Sequence, residues 1–284
     1  MKADNFNLQA YFSRINFWGT ASADFSTLKN IMRCQLFSVP FENLDVQFGK
    51  VVSLIPEEIY TKIVDQKRGG YCYEINGLFA MALGKLGIPH QFVAARPMTY
   101  PSRRPKTHMV IVASVDGEKW LCDLGFGSYS IREPVNLDWL DQDIKQDFDT
   151  FRLSRNPRQD YLLQLLDNGV WKNLYEFNLC PQEWIDFEPA NYLNSTHKDS
   201  IFVQSLMVVL HTPEGKKVLS GDRFKSISKG MTVKSSISKE EIASLLQREF
   251  FLQYQPEQDS GYRFSEAKQA DSSSAAVDYL PETP

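Results

Sequence analysis

The sequence RGGYCYEINGLF, residues 68–79, decides how the rest of the chain is interpreted. Two glycines precede a cysteine, and the apolar residues that follow recur at spacings of three and four, the period of an amphipathic helix. Cys72 therefore lies in the first turn of a predicted helix, which ends at Gly87 with Pro89 just beyond. Unpaired backbone N–H groups and the positive end of the helix dipole favour a thiolate there. The two glycines are expected to allow a sharp turn and to leave room for a substrate beside the sulfur.

Two interpretations of Cys72 are open at this point. Extended backward from Ile75 at helical spacing, the apolar stripe includes Cys72, so its side chain would face the protein interior. A free cysteine is commonly a small buried hydrophobe with an inert thiol. The stretch alone does not choose between that structural cysteine and a nucleophile.

The composition is that of an ordinary globular protein. The chain has 284 residues, of which 43% are hydrophobic and 23% are charged, enough for one large core or a few smaller subdomains. A net charge of −4 and a pI of about 5.7 give no electrostatic basis for binding nucleic acid or an anionic membrane. No signal-peptide pattern and no run of about 18 apolar residues is present, so we expect a cytoplasmic protein without a membrane span.

The four cysteines give a further restriction. Cys34, Cys72, Cys122 and Cys180 are far apart, and no two of them form a C-x-x-C pair. This spacing argues against a zinc site and against a disulfide framework. We therefore expect free thiols and no metal.

The pattern of the chain changes twice. The first third predicts helices, with apolar stripes from Leu8 and from Phe25, and a third helix opened by Pro56. From Gln91 short β-branched and aromatic runs follow, separated by turn residues, and they predict an antiparallel barrel or sandwich. In the last third we expect strands over residues 202–211 and 215–219, and a helix after the capping box at Ser238. The fold class is therefore α+β.

A predicted hairpin brings a histidine to an aspartate. If the Asp-Gly pair at 116–117 forms a two-residue turn, Val115 pairs with Glu118, and counting back places His108 diagonally opposite Asp123 on the same face. Each of the two alone is more often a structural residue. Together with a cysteine at a helix start they make a nucleophile, its base and the group that orients the base.

The remaining cysteine and histidines of interest are predicted to have structural roles. The same register turns Cys122 away from His108, so it is expected to lie in the core. His90 follows a proline near a helix end, and His197 and His211 have no acid at a matching strand offset, so all three are interpreted as structural or solvated.

The motifs together resemble those of the arylamine N-acetyltransferases. The matching segments are RGGYCYEIN at 68–76, VPFENL at 39–44, THM at 107–109, DLGFG at 123–127 and STHKDSIF at 195–202. They cover nearly the whole chain in order.

The resemblance implies a fold of three parts and a cysteine-protease-like Cys-His-Asp core. The parts are an N-terminal helical bundle (1–90) that carries the nucleophile, a central antiparallel β-barrel (91–200) that carries the histidine and aspartate, and a C-terminal α/β lid (201–284). The tail after Ser265 is expected to be loosely held. The implied catalytic triad is Cys72, His108 and Asp123.

The resemblance also implies substrates and their sites. Acetyl-CoA would be the acetyl donor, as a co-substrate, and arylamines or arylhydrazines the acceptors, in a double-displacement reaction of xenobiotic metabolism. By the same resemblance, acceptor-pocket residues would be Phe41, Phe126 and Phe202, and CoA-binding residues Gly127, Thr212 and Gly215. The sequence predicts no oligomeric state.

Two alternatives belong to other classes. A cysteine hydrolase or transglutaminase-like enzyme shares the Cys, His, Asp order but acts on peptides or other amides. A non-catalytic binding protein keeps the fold with an inert, buried Cys72, and then the four thiols react slowly and without preference.

Overall fold

The computed structural model of the protein describes residues 1–253, and the prediction for the tail after Ser265 lies outside the described residues. The described helices are α1 Leu8–Arg14, α2 Phe25–Ser38, α3 Leu44–Gln47, α4 Pro56–Tyr60, α5 Cys72–Lys85, α6 Glu188–Thr196, α7 Ile201–Gln204 and α8 Lys239–Phe250. The described strands are β1 Phe41–Glu42, β2 His90–Pro97, β3 His108–Val115, β4 Glu118–Cys122, β5 Val135–Asn136, β6 Ile144–Gln146, β7 Asp149–Arg155, β8 Tyr161–Asp167, β9 Val170–Gln182, β10 Met207–Thr212, β11 Gly215–Ser220, β12 Arg223–Ser228 and β13 Met231–Ser236.

The N-terminal helices pack around α5, which is buried over almost its whole length. Side chains of Asn7 and Asp24 cap α1 and α2 by accepting hydrogen bonds from backbone N–H groups of the first turn. Proline at the first position starts α4, which continues as a π-helix over Thr61–Asp65. Gly87, with φ of +70°, follows the end of α5, so the predicted helix stop is confirmed.

Eight strands form the antiparallel sheet of the barrel, in the order β5-β4-β3-β2-β9-β8-β7-β6. Val115 pairs with Glu118 across the predicted turn, so this hairpin is confirmed. Asp167 pairs with Val170 across a second two-residue turn, at Asn168-Gly169. A bridge between Leu140, just after β5, and Leu153 on β7 nearly closes the sheet into a barrel.

The C-terminal sheet takes one strand from the N-terminal third. Its order is β1-β10-β11-β12-β13, so β1 pairs with a strand more than 160 residues later in the chain. Helix α8, which the capping box at Ser238 predicted, packs its apolar side on this sheet in a second core with Val208, Leu210 and Leu219. The α+β architecture of helical bundle, barrel and lid is present, whereas the boundaries at residues 90 and 200 stay a prediction.

The predicted strand over residues 202–211 is wrong in its first part. Phe202 lies in helix α7, and the strand begins only at Met207. Ser200 caps the short helix, because its side chain accepts a hydrogen bond from the Phe202 N–H. Asn43 then donates to the carbonyls of Phe202 and Ser205, at 2.8 Å each, which fixes the turn between helix and strand.

Glycine is required at the two positions before Cys72 for a reason other than the one expected from the sequence. Neither Gly69 nor Gly70 has a positive φ. A Cβ on Gly69 would lie 2.0 Å from the Pro40 carbonyl oxygen, and one on Gly70 would lie 2.7 Å from the Glu74 side chain. Close packing of this loop, not a left-handed turn, therefore requires them. Among residues 1–253, no helix has the length and apolar character needed to cross a membrane.

Candidate active site

Cys72 is the first residue of α5, and a buried carboxylate holds the start of this helix. Glu74 accepts a hydrogen bond from the Tyr71 backbone N–H at 3.0 Å, and its other oxygen accepts one from Lys62 Nζ at 2.6 Å. Burial raises the pKa of Glu74 to about 7, although Lys62 acts in the opposite direction. The turn that carries Cys72 is thus held by an ion pair from the neighbouring π-helix.

A second ion pair holds the loop before the cysteine. Arg68 lies 2.8 Å from Glu42 and 3.3 Å from Asp45, and Lys62 also contacts Asp45. Arg68 thus supports the loop through its contacts with Glu42 and Asp45. Charges that are removed from water need such partners, so the network fixes the loop against β1.

The hairpin β3–β4 brings His108 to Asp123 as its register predicted. Ile111 pairs with Cys122, and Asp123 is the next residue after Cys122. His108, three residues before Ile111, lies diagonally opposite, with 2.8 Å between His108 Nε2 and Asp123 Oδ2. Because a carboxylate accepts, Nε2 carries the proton, and Nδ1 is the basic nitrogen of the neutral ring. Both side chains are buried, with exposed fractions of 4% and 0%.

Asn76 joins the cysteine helix to this hairpin, and the sequence analysis gave it no role. Its Nδ2 donates to the Met109 carbonyl at 2.8 Å and to Asp123 Oδ1 at 3.1 Å, while its Oδ1 accepts from the Leu124 N–H at 3.0 Å. Asn76 lies four residues after Cys72, on the same face of α5. The spacing of four residues between Cys72 and Asn76 is the feature of the sequence that could have indicated this role.

Several hydrogen bonds keep Asp123 ionised. Burial alone would raise the pKa of Asp123, but the charge of His108 and hydrogen bonds from His108, Asn76 and the Gly125 backbone outweigh it. The carboxyl pKa therefore lies below its usual range. The ring of Tyr175 also packs against the imidazole, with its centroid 5.3 Å from that of His108.

The environment of the Cys72 sulfur differs from the expectation of a thiolate at a helix start. Burial, followed by the negative charge of Asp123, raises the pKa of the Cys72 thiol well above its usual range. Hydrogen bonds from the backbone at Met109 and Tyr73 act against this rise without cancelling it. A thiolate at Cys72 therefore needs a compensating positive charge close to the sulfur.

Gly125 allows the hairpin to approach the cysteine. A Cβ at this position would lie 2.6 Å from Cys72 Cα and 3.0 Å from Cys72 Cβ. Any other residue would push the helix and the Asp123–Gly125 segment apart. The room beside the nucleophile thus depends on this glycine and not on Gly69 and Gly70.

A cavity of about 580 Å³, including its mouth, contains Cys72 and His108 in its wall. The three phenylalanines predicted for the acceptor pocket, Phe41, Phe126 and Phe202, all line it. Phe41 and Phe202 have ring centroids 6.0 Å apart, and Phe126 lies 4.9 Å from the His108 ring. The further lining residues are Pro97, Thr99, Tyr100, Thr107, Gly125, Gly127, Ser128, Tyr129, Asn194, Ile201 and Met207.

Of the three residues predicted to bind CoA, one lies at the cavity and two lie away from it. Gly127 lines the cavity, whereas Thr212 and Gly215 face each other across the β10–β11 turn and do not line it. Their assignment to CoA stays a prediction. His211 is buried, in agreement with a structural histidine, and donates a hydrogen bond to the Gly127 carbonyl at 2.8 Å.

The other cysteines lie away from this cavity. Cys122 is fully buried beside Ile111, Cys34 is half-buried and Cys180 is exposed, and each is a free thiol. Over residues 1–253, no three His, Cys, Asp or Glu side chains are arranged to hold a metal ion.

A cysteine and a histidine in the wall of one aromatic cavity, with an aspartate hydrogen-bonded to the histidine, form the arrangement that enzymes with a cysteine nucleophile use. Comparison with known proteins narrows the class. The sequence profile of a family described as N-acetyltransferase matches residues 24–258. The chain belongs to the arylamine N-acetyltransferase family, whose members are acyltransferases.

The relatives are similar in sequence and in fold. The chain is 32% identical to the arylamine N-acetyltransferase of Escherichia coli K12 over 215 residues, which are 74% of this chain and 75% of that protein. It is similar to the solved arylamine N-acetyltransferase of Salmonella typhimurium, with a TM-score of 0.83 and 27% identity over 87% of this chain and 92% of that one. The Mycobacterium marinum enzyme in complex with CoA gives a TM-score of 0.81 and 28% identity, over 87% of this chain and 93% of that one.

Proposed function

We propose that the protein transfers the acetyl group of acetyl-CoA to the nitrogen of arylamines or arylhydrazines, through an acetyl-cysteine on Cys72. The observation that carries the proposal is that Cys72 and His108 share the wall of one aromatic cavity, with Asp123 behind His108 at 2.8 Å between the imidazole and the carboxylate. Family membership and a similar enzyme solved with CoA support the donor.

In the first half-reaction His108 acts as a base. Its Nδ1 takes the proton of the Cys72 thiol, and the ionised Asp123 stabilises the imidazolium that results. The thiolate attacks the thioester carbonyl, the bond between that carbon and the CoA sulfur breaks, and the CoA thiolate leaves with the proton from His108. Backbone N–H groups beside Cys72 are suited to stabilising the oxyanion that forms in between.

The second half-reaction reverses these roles. The nitrogen of the acceptor attacks the acetyl carbonyl, its proton passes to His108, and the bond to the Cys72 sulfur breaks. The released thiolate recovers a proton from His108. Phe41, Phe126 and Phe202 supply aromatic faces and edges on which an aryl ring can pack during this step.

The cavity suits the acetyl and aryl groups better than the nucleotide of CoA. Among residues 1–253, no lysine or arginine lines it, so we expect the phosphates of CoA to lie outside the cavity. Arg103 and Arg104 lie on the loop next to Tyr100, but Arg103 pairs with Glu176 at 2.6 Å and Arg104 stacks on the Tyr100 ring. These contacts support a structural role for the two arginines.

The test is mass spectrometry of the intact protein after brief incubation with acetyl-CoA. We expect one acetyl group on Cys72, no adduct on C72S, and an unchanged adduct on the matched control C122S. Addition of an arylamine should remove the acetyl group and yield the amide. An unmodified wild-type protein would contradict the proposal.

The same experiment distinguishes the alternatives. Loss of the acetyl group to water at an equal rate with and without acceptor would indicate a hydrolase. An inert, structural Cys72 predicts that iodoacetamide alkylates it no faster than Cys122. Our proposal predicts fast alkylation of Cys72 in the wild type, and a rate close to that of Cys122 in H108Q, because the imidazolium that stabilises the thiolate is lost.

A further inference from the structure

Two side chains of the C-terminal sheet hold one wall of the cavity, the short turn Gly127–Tyr129. His211 Nε2 donates to the Gly127 carbonyl at 2.8 Å, and Lys216 Nζ donates to the Ser128 carbonyl at 2.6 Å. His211 on β10 and Lys216 on β11 are direct cross-strand partners. Two consecutive carbonyls of the turn are therefore bound by neighbouring side chains of a single hairpin.

The turn needs such support because of its backbone conformation. All three of its residues line the cavity together with Cys72. Gly127 has φ of +63°, a left-handed conformation that only glycine adopts without strain, and glycine also has the largest freedom to leave it. Lys216 Nζ additionally lies 4.9 Å from the centroid of the Tyr129 ring, so the lysine holds both the backbone and a side chain of the wall.

The direction of the histidine hydrogen bond is fixed by its surroundings. A carbonyl can only accept, so His211 Nε2 carries the proton. Burial, followed by the positive charges of Arg132 and Lys216, lowers the pKa of His211 well below its usual value, and the ring stays neutral with this nitrogen as donor. The bond from Lys216 is charge-assisted when the amine is protonated, and such bonds are the stronger kind.

We propose that His211 and Lys216 are positioning residues that determine acceptor specificity. By holding the Gly127–Tyr129 turn they fix the width of the cavity that the turn shares with Phe202 and Met207. Neither side chain lines the cavity, so both act through the turn. This inference rests on the proposed function. It predicts that the enzyme prefers compact aryl acceptors to acceptors that carry a long substituent opposite the amine.

Paired variants separate the hydrogen bond from the mere presence of a side chain. K216M and H211L remove the donors, whereas K216R and H211Q keep a donor of similar reach. Lys217 is the matched control, because it lies on the opposite face of β11 and pairs with Glu249 at 3.0 Å. K217M changes the same residue type on the same strand without touching the turn.

The first readout is the ratio of kcat/KM for aniline to kcat/KM for 4-butylaniline, with acetyl-CoA as donor. We expect K216M and H211L to lower this ratio about tenfold, mainly by raising the KM of the compact acceptor. K216R and H211Q should recover most of the ratio, and K217M should match the wild type. Acetylation of Cys72 by acetyl-CoA should form the same adduct in all of them.

The second readout needs no activity. The Ser130 N–H donates to the Gly127 carbonyl at 3.4 Å, so its hydrogen exchange reports whether the turn is held. Hydrogen exchange at the Ser130 N–H should be faster than in the wild type in K216M and H211L, and unchanged in K216R, H211Q and K217M. Folded K216M and H211L with the wild-type ratio and wild-type exchange would overturn the inference. A wild-type protein that forms no acetyl-cysteine would instead refute the proposed function, and the exchange result would still decide whether the two side chains hold the turn.

Discussion

Replacing Asn76 is the sharpest test of how the site is assembled, because one side chain connects α5 to strand β3 and to the segment after β4 that contains Asp123. Its three hydrogen bonds, to Met109, Asp123 and Leu124, span 2.8–3.1 Å and are all buried. N76A removes all three and leaves the Leu124 N–H without its partner. N76D keeps the shape and the bond from Leu124, but it turns the donor that faces Asp123 into an acceptor.

The expected magnitudes follow from these contacts. An unpaired buried donor costs about 1–3 kcal/mol, and a hydrogen bond to a charged group contributes about 1.5–3 kcal/mol. We therefore expect N76A to lower the free energy of unfolding by about 3 kcal/mol. N76D places a second carboxylate against Asp123, so it should raise the pKa of Asp123 and slow acetylation of Cys72 by about a hundredfold, more than N76A does.

Urea denaturation measures the first effect, and the rate of acetyl-enzyme formation in a quenched-flow experiment with acetyl-CoA measures the second. N173A is the control, since Asn173 on β9 is exposed and its hydrogen bond with Gln164 lies at the surface. That variant should stay within about 0.5 kcal/mol of the wild type. The reasoning is refuted if N76D is acetylated at the wild-type rate, or if N76A is as stable as N173A.

Three further predictions concern stability. G125A should lower the free energy of unfolding by about 1–3 kcal/mol in a denaturant titration, because the new methyl group would lie 2.6 Å from Cys72 Cα. G84A, at an exposed position of α5 with no atom closer than 4.0 Å to the new Cβ, should instead raise it by about 0.5–1 kcal/mol. Burial would raise the pKa of Asp45, but the neighbouring lysine and arginine lower it to about 2 from 3.8. The ionised Asp45 therefore contributes fully to the free energy of unfolding above about pH 4, and this contribution, ~1.4 kcal/mol per pKa unit, is lost as the pH falls toward about 2. In acid titrations over this range, D45N should lose stability less steeply than the wild type.

The hairpin that carries His108 and Asp123 could be predicted because its turn fixes its register. An Asp-Gly pair allows only a few two-residue turns, and strand pairing then counts outward from it without further information. The same logic placed Cys122 in the core. Periodicity likewise located α5, although residues Cys72 to Leu83 are all buried, so the helix is enclosed on every side and is not amphipathic as its apolar spacing suggests.

Other features depend on partners that are remote in the sequence. Strand β1 has two residues, too few for any period, and exists because β10 pairs with it. The segment around Phe202 is apolar enough for a strand, but the Ser200 cap and hydrogen bonds from the remote Asn43 and Gln47 side chains hold it as a helix and a turn. His211 was interpreted as structural or solvated, because nothing in a single sequence shows that its ring meets the Gly127 carbonyl.

The comparison of Cys72 with Cys122 shows where the reactivity of the site must come from. Burial raises the pKa of both thiols far above the usual value, so a position at a helix start does not by itself produce a thiolate in this protein. Asp123 adds a further rise at each sulfur. What differs is access to the cavity, which Cys72 shares with His108. In the proposed mechanism the imidazolium of His108 offsets the effect of burial, so we expect the contacts that hold His108 against Asp123 to decide whether Cys72 acts as a nucleophile.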